Sequence, residues 1–114
     1  MIERLETKTR MSQVVVHRDT VYLAGQVPDD PAAGITEQTR QVLKKIERLL
    51  TLGGSDKTKL LSATVWLTDM RYFAEFNEVW DAWIPEGDAP ARACVNALLA
   101  QPGFKIEIGI VAAR

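Results

Sequence analysis

The stretch Lys59-Leu60-Leu61-Ser62-Ala63-Thr64-Val65-Trp66-Leu67 is short, rich in apolar and β-branched residues, and shows no regular alternation of polar and apolar positions. A run of this kind is typical of a strand buried inside a sheet. We therefore predict an interior strand over residues 59–67. On both sides of it, apolar residues recur at spacings of three and four, which predicts one helix before the strand and one after it.

The first helix is predicted over residues 36–52, with Thr36 as its N-cap and Gly53-Gly54 as its stop. Its apolar stripe consists of Ile35, Thr39, Val42, Leu43, Ile46, Leu49 and Leu50. The second helix is predicted over residues 71–84, and Asp69 is its candidate cap. Its stripe consists of Tyr72, Phe73, Phe76, Val79, Trp80 and Trp83.

The other strands are predicted from short β-branched or alternating runs bounded by turn residues. They cover residues 2–6, 12–17, 21–27, 91–99 and 105–113, the second and third forming a hairpin. The resulting order of hairpin, helix, strand, helix, strand, strand favours an α+β fold, with a mixed sheet and both helices on one face. Residues 1–114 are predicted to form a single domain.

Composition excludes several functional classes. The net charge is −1 and no basic run is longer than Lys44-Lys45, so no nucleic-acid footprint is visible. The single histidine, His17, and the single cysteine, Cys94, cannot build a His/Cys metal site or an intramolecular disulfide. No apolar run reaches the ~20 residues that span a bilayer, and the N-terminus lacks a signal-peptide pattern. We expect a cytoplasmic protein with no membrane partner and no metal.

A sheet with both helices on one face leaves its other face uncovered, which predicts that copies of the chain associate. A chain of 114 residues also has little room for a deep active-site cavity of its own. A site at a contact between subunits is therefore favoured.

Arg92 opens the predicted strand 91–99, and period-two alternation places Arg92, Cys94 and Asn96 on the same face. The arginine fork matches the geometry of a carboxylate. An edge-strand charge or an ordinary ion pair is the alternative, and spacing alone favours it. Cys94 is a candidate nucleophile, although a lone cysteine in a strand is more often a small buried hydrophobe.

Glu107 and Gly25 are the other candidates. Glu107 alternates with three isoleucines that share the opposite face, so it could orient a water or accept a proton, the alternative being a solvated or paired surface carboxylate. Gly25 interrupts an apolar strand, which indicates either a close backbone approach to a ligand or simple packing.

Four segments in the same order resemble the RidA/YjgF family of reactive intermediate deaminases, and the resemblance covers nearly the whole chain. They are Ala24-Gly25-Gln26-Val27-Pro28, Phe73-Ala74-Glu75-Phe76-Asn77, Pro90-Ala91-Arg92-Ala93-Cys94-Val95 and Lys105-Ile106-Glu107-Ile108. The segment Trp80-Asp81-Ala82-Trp83 and the short loop before Pro90 are most similar to those of the YoaB-like branch.

The resemblance implies a chorismate-mutase-like sheet and a homotrimer with clefts between the subunits. It also implies that the protein hydrolyses enamines and imines, such as 2-aminoacrylate, to 2-keto acids and ammonia. No cofactor is implied. It implies that Arg92 grips the substrate carboxylate and that Glu107 holds the attacking water. It also implies that Cys94 lines the pocket and that the N–H of Gly25 meets the ligand.

Two positions that the resemblance places at the substrate depart from the family pattern. Ala24 stands where these proteins often have serine, and Met11 stands where they commonly have an aromatic residue. Two hypotheses follow: an imine hydrolase, or a non-catalytic trimer that binds or senses a small carboxylate such as a keto acid. An RNA-directed activity is disfavoured by the missing basic patch. The sequence leaves open whether Arg92 and Glu107 meet within one subunit or across two.

Overall fold

The fold is built on one six-stranded sheet, seen in a computed structural model that describes residues 1–114. The strands are β1 (Ile2–Thr7), β2 (Ser12–His17), β3 (Thr20–Leu23), β4 (Leu60–Leu67), β5 (Ala91–Asn96) and β6 (Ile106–Ala113). The helices are α1 (Ile35–Leu52) and α2 (Phe73–Trp83), and short 3₁₀ turns cover Lys57–Lys59 and Met70–Tyr72.

The strand order across the sheet is β1-β2-β3-β6-β4-β5. Strand β4 pairs antiparallel with β6 and parallel with β5, and every other pair is antiparallel. The parallel pair needs a crossover, and α2 supplies it. The predicted interior position of β4 and the mixed α+β sheet are therefore confirmed.

Both helices cover the same face of the sheet. Every second residue of β6 is buried beneath them, namely Ile106, Ile108, Ile110 and Ala112. The whole predicted stripe of α1 is buried as well. In α2 only Phe76 and Trp80 are buried, whereas Phe73, which belongs to the predicted apolar stripe, is 40% exposed, so the stripe does not extend to the first residue of the helix. Phe73 is the first residue of α2.

The starts of both helices differ from the predicted caps. The N-cap of α1 is Gly34, without a side-chain cap, and the hydroxyl of Thr36 instead donates to the Glu75 carboxylate of α2 at 3.3 Å. The Asp69 carboxylate accepts a hydrogen bond from the Arg71 backbone N–H, so it caps the 3₁₀ turn before α2 and not α2 itself. A short polar side chain near the start of a helix can bond either to a nearby backbone group or to another side chain.

Two strands are shorter than predicted. The run 21–27 ends as a strand at Leu23, because the chain then leaves β2 and rejoins the sheet only through an isolated bridge between Gln26 and Ile108. The run 91–99 ends at Asn96 because its partner β4 ends at Leu67, whose carbonyl accepts from the Asn96 side chain and the Ala97 backbone N–H.

The fully buried side chain of Gln38 in α1 ties together the loops on either side of the Gln26–Ile108 bridge. Its amide nitrogen is within 3.2 Å of the Asp30, Ala33 and Gly103 carbonyls, and its oxygen accepts from the Lys105 backbone N–H at 2.8 Å. A buried amide with all these partners holds the loop after Gly25 against the loop before Glu107.

The sheet face without helices, here called the open face, carries both apolar and polar side chains. Its residues include Val15, Tyr22, Trp66, Val95, Glu107 and Val111, as the strand registers show. Tyr22 is 45% exposed and Val95 43% exposed. None of the helices is long and apolar enough to cross a membrane.

Candidate functional site

Gly25 and Glu107 form the first half of the candidate site, on the open face of the sheet. A Cβ atom placed on Gly25 would lie 2.1 Å from the Glu107 Oε2 atom. The two residues meet because Gln26 and Ile108 exchange backbone hydrogen bonds of 2.8 and 3.1 Å, which draws the loop after β3 across the start of β6. Only glycine allows this carboxylate to lie against the backbone.

The Glu107 carboxylate is half-buried and makes no hydrogen bond or ion pair within the chain. Burial raises the pKa of this carboxyl above its usual value of 4.5, and no cation of the same chain offsets the effect. A carboxyl in such a place can take up and return a proton closer to neutral pH than a solvated one.

The backbone N–H of Gly25 is a free donor beside that carboxylate. Its neighbours are both bonded: the Ala24 N–H donates to the Gln13 carbonyl at 2.9 Å and the Gln26 N–H to the Ile108 carbonyl. The Gly25 N–H has no such partner, and Gly25 itself is exposed. An unpaired, accessible N–H next to an unpaired carboxylate is suited to a small polar ligand.

Arg92 forms the second half of the site, on edge strand β5. Its guanidinium carbon lies 5.3 Å from the centre of the Phe76 ring and 5.4 Å from the centre of the Trp80 ring, both on α2. Arg92 is exposed and takes part in no ion pair or side-chain hydrogen bond. Within the chain, Arg92 is therefore not part of an ordinary ion pair, which was the alternative that spacing favoured.

Cys94 follows Arg92 on the same face of β5 and packs against the core. Burial raises the pKa of its thiol, and the smaller opposing effect of the Arg92 charge does not offset this. A thiol held protonated is a weak nucleophile. These properties agree with the interpretation of Cys94 as a small buried hydrophobe.

Arg92 and Glu107 lie on opposite faces of the sheet. Trp66 of β4 pairs with Val95 on one side and Glu107 on the other, so these three share the open face. Arg92 pairs with the buried Ala63 and so points to the helix side. Strands β5 and β6 are also separated by β4, which puts their backbones roughly 10 Å apart. The two side chains do not meet within one chain.

Ala24 lies beside Gly25, and Met11 directly precedes β2, the strand to which the Ala24 N–H is hydrogen-bonded. Ala24 is half-buried and directly precedes Gly25. Met11 is 40% exposed and closes the turn between β1 and β2, where its carbonyl accepts from the Lys8 N–H at 2.8 Å. Neither side chain offers a hydroxyl or other polar group to a ligand.

The sequence pattern placed Phe76 and Trp80 on the apolar stripe of the second helix but indicated a role at the site for neither, and it did not single out Trp66. The spacing of four between Phe76 and Trp80 placed them on one helix face, but nothing local indicated that Arg92 would lie over them. Trp66 covers Gly109, where an added methyl group would lie 3.3 Å from the indole, and so forms an aromatic surface next to Glu107. No group of three or more His, Cys, Asp or Glu residues is placed to bind a metal.

Comparisons with known proteins identify the family. The chain is 44% identical over 112 residues to the RutC family protein YoaB of Escherichia coli, covering 98% of this chain and 97% of that protein. It is 32% identical over 109 residues to a rat protein named 2-iminobutanoate/2-iminopropanoate deaminase, covering 90% and 79%. A solved structure of a YjgF family member from Neisseria meningitidis has a TM-score of 0.96 at 43% identity, covering 100% and 95%.

The family profile that matches the chain is described as Endoribonuclease L-PSP, and the match extends over residues 1–114. The predicted family resemblance is thus confirmed along the whole chain, and the structural neighbour supports the same fold. This protein belongs to the YjgF/RidA family.

Proposed function

We propose that this protein hydrolyses small 2-imino acids to 2-keto acids and ammonia, at a site formed between neighbouring copies of the chain. The observation that carries the proposal is the pair of unpaired groups, Arg92 and Glu107, on opposite faces of one sheet. Each has the chemistry for one half of the reaction, and neither is neutralised within its own chain.

Arg92 binds the carboxylate of the imino acid. Its guanidinium is always charged at physiological pH and presents parallel N–H donors, which fix both the position and the orientation of a carboxylate. Fixing the carboxylate places the imine carbon at a defined distance from the other half of the site. Arg92 cannot act as a base, so the proton transfers belong to another group.

Glu107 activates the water. The carboxylate takes a proton from water as the oxygen bonds to the imine carbon and the C=N π electrons move to nitrogen, which gives a carbinolamine. Glu107 then returns the proton to nitrogen. As the C–N bond breaks, the hydroxyl oxygen forms the C=O bond, and its O–H proton passes to the Glu107 carboxylate and from there to the departing ammonia. In sum, a 2-iminium carboxylate and one water give a 2-keto carboxylate and an ammonium ion. A carboxyl whose pKa is raised by burial suits both transfers.

The N–H of Gly25 steadies the oxygen or carboxylate of the ligand beside Glu107. This donor is free and costs no side-chain ordering when it binds. Cys94, Ala24 and Met11 would line the same cleft from their positions at the two halves. Their lack of strong polar groups suits a small, weakly functionalised substrate.

The site needs two copies, because Arg92 of one chain must face Glu107 of another. Association through the apolar side chains of the open face, which include the exposed Tyr22 and Val95, would bring the edge strand β5 of one subunit against a neighbour. We propose a closed homotrimer with three equivalent sites. The rat relative named 2-iminobutanoate/2-iminopropanoate deaminase supports the substrate class.

The alternative is a trimer that binds a small carboxylate without turnover, which the apolar Ala24 and Met11 favour. The two functions are separated by pairing an assay with calorimetry. An amino-acid oxidase generates the imino acid, semicarbazide traps it, and the protein competes for it. Loss of the trapped product supports hydrolysis, whereas binding of 2-ketobutyrate with no such loss supports the non-catalytic function.

Subunit mixing tests the shared site. The Arg92→Ala and Glu107→Gln proteins, each strongly reduced in kcat/KM alone, are unfolded together, refolded at equal concentrations and assayed at imino acid concentrations well below KM. Random assembly gives about a quarter of the sites an intact Arg92 from one copy and an intact Glu107 from the other, so about a quarter of wild-type activity should return. No recovery in verified mixed oligomers would show that the two residues do not cooperate across subunits.

Gly25→Ala should disable Glu107 without unfolding the protein. The added methyl would overlap the Glu107 Oε2 atom, and the flexible carboxylate would swing away. A displacement of about 1 Å can cost on the order of 100-fold in kcat. Activity and Tm are measured together, with Gly34→Ala as the matched control, because a methyl at Gly34 meets nothing within 4 Å. If Gly25→Ala is fully active, the close approach of Gly25 to Glu107 is not needed for catalysis.

A further inference from the structure

The placement of Arg92 over two aromatic rings assigns a role to residues that otherwise serve only as core. The guanidinium carbon lies almost equally far from the Phe76 and Trp80 ring centres, at 5.3 and 5.4 Å. The guanidinium carbon is therefore shared between the two rings and does not lie over the centre of either one. Both distances are within the range in which a cation is attracted by a ring face.

Two other arginines, which hydrogen-bond to carboxylates, bind quite differently. Arg48 donates from both of its terminal nitrogens to Glu6, at 2.7 and 3.1 Å, and Arg71 donates from Nε and Nη2 to Asp69. Those contacts occupy the donors that a carboxylate ligand would need. Arg92 instead contacts two rings, which accept no hydrogen bond from it, and it takes part in no ion pair, so it is held in place with its N–H donors unused.

The two rings are themselves fixed. Phe76 is fully buried and Trp80 is 4% exposed, and their centres lie 6.0 Å apart. Trp80 also contacts Trp83, with ring centres 5.5 Å apart. Packed aromatic side chains of this kind have little rotamer freedom, so they present a rigid surface to the arginine.

We propose that Phe76 and Trp80 are positioning residues that hold the Arg92 guanidinium ready for the substrate carboxylate. This inference rests on the proposed function of Arg92 as the carboxylate anchor. The aromatic surface restrains the long arginine side chain before the ligand arrives, which reduces the ordering that binding would otherwise require. The effect belongs to carboxylate binding and not to the water chemistry at Glu107, which lies on the other face of the sheet.

Trp80→Leu should raise KM for the imino acid, and Kd for 2-ketobutyrate, by roughly two- to fivefold while kcat changes little. Trp80→Phe retains a ring face and should restore most of the affinity. Trp83→Leu is the matched control, because Trp83 contacts Trp80 but not Arg92. If Trp80→Leu folds poorly, Phe76→Leu removes the other ring with a smaller change in volume.

A double-mutant cycle separates positioning from general loosening of the core. In an Arg92→Ala background, Trp80→Leu should cause no further loss of 2-ketobutyrate affinity. Equal losses in both backgrounds, or an equal loss in Trp83→Leu, would overturn the inference.

A readout without ligand keeps the inference testable even if the proposed function fails. The Arg92 side-chain Nε–H should be more ordered by NMR relaxation than that of exposed Arg40, and Trp80→Leu should abolish the difference. Wild-type Arg92 as mobile as Arg40 would overturn the positioning role. Absence of both turnover and 2-ketobutyrate binding, with Arg92 still ordered by Trp80, would overturn only the proposed function.

Discussion

Arg92→Ala is expected to lower kcat/KM for 2-iminopropionate about 100-fold, because it removes two charge-assisted hydrogen bonds to the substrate carboxylate. Most of the loss should appear in KM, since the carboxylate is bound in the ground state as well as in the transition state. The fold should tolerate the change: Arg92 is exposed and makes no ion pair, so only its contact with the two rings is lost. That contact is worth about 0.5–1 kcal/mol at an exposed site.

Arg92→Lys and Arg40→Ala complete this experiment. Lysine keeps the charge but loses the fork, so Arg92→Lys should fall between wild type and Arg92→Ala. Arg40 is an exposed arginine on α1, and its replacement should leave kcat/KM unchanged. The measurement is the semicarbazide competition assay over a range of imino acid concentrations, with Tm as the check on folding. If Arg92→Ala has wild-type kinetics, Arg92 does not bind the substrate carboxylate.

The sequence predicted the parts of the fold that depend on local periodicity. The stripe of α1 and the alternating burial of β6 follow directly from the spacing of their apolar residues. The end of β3 could not be predicted in this way, because Ala24 to Val27 look like a continuing strand. The chain departs at Gly25 only because β6, from far along the sequence, accepts the Gln26–Ile108 bridge.

The sequence pattern indicated individual candidate residues for the site but could not predict how they lie relative to one another. Period-two alternation correctly separated Glu107 from the isoleucines beside it, and Arg92 from Ala91 and Ala93. Alternation within one strand does not predict which of its residues lie on the same sheet face as given residues of another strand. That depends on Trp66 being the common partner of Val95 and Glu107, a non-local register that places Arg92 and Glu107 on opposite faces. The contact of Arg92 with α2 likewise depends on how the helix packs.

Glu107→Gln is expected to lower kcat on the order of 100- to 1,000-fold, because the amide cannot take a proton from water. The wild-type rate should rise with pH as Glu107 ionises, and its midpoint should lie above the usual carboxyl pKa of 4.5, since burial raises the pKa of this group. The variant should lose this dependence along with most of its rate. A variant with wild-type kcat would assign the proton transfers to another group.

The same substitution should stabilise the protein at neutral pH. Because the folded-state pKa of Glu107 is raised, the stability linked to this carboxyl is fully present below pH 4.5 and is lost as the pH rises through the folded-state value. Glutamine carries no charge at any pH, so Glu107→Gln should have a higher Tm than wild type at pH 7, and the two should converge near pH 4. A variant that is less stable than wild type at pH 7 would mean that the ionised carboxylate is favourably paired in the assembled protein. A gain in stability together with a loss of turnover would instead identify Glu107 as a group kept for chemistry at the expense of the fold.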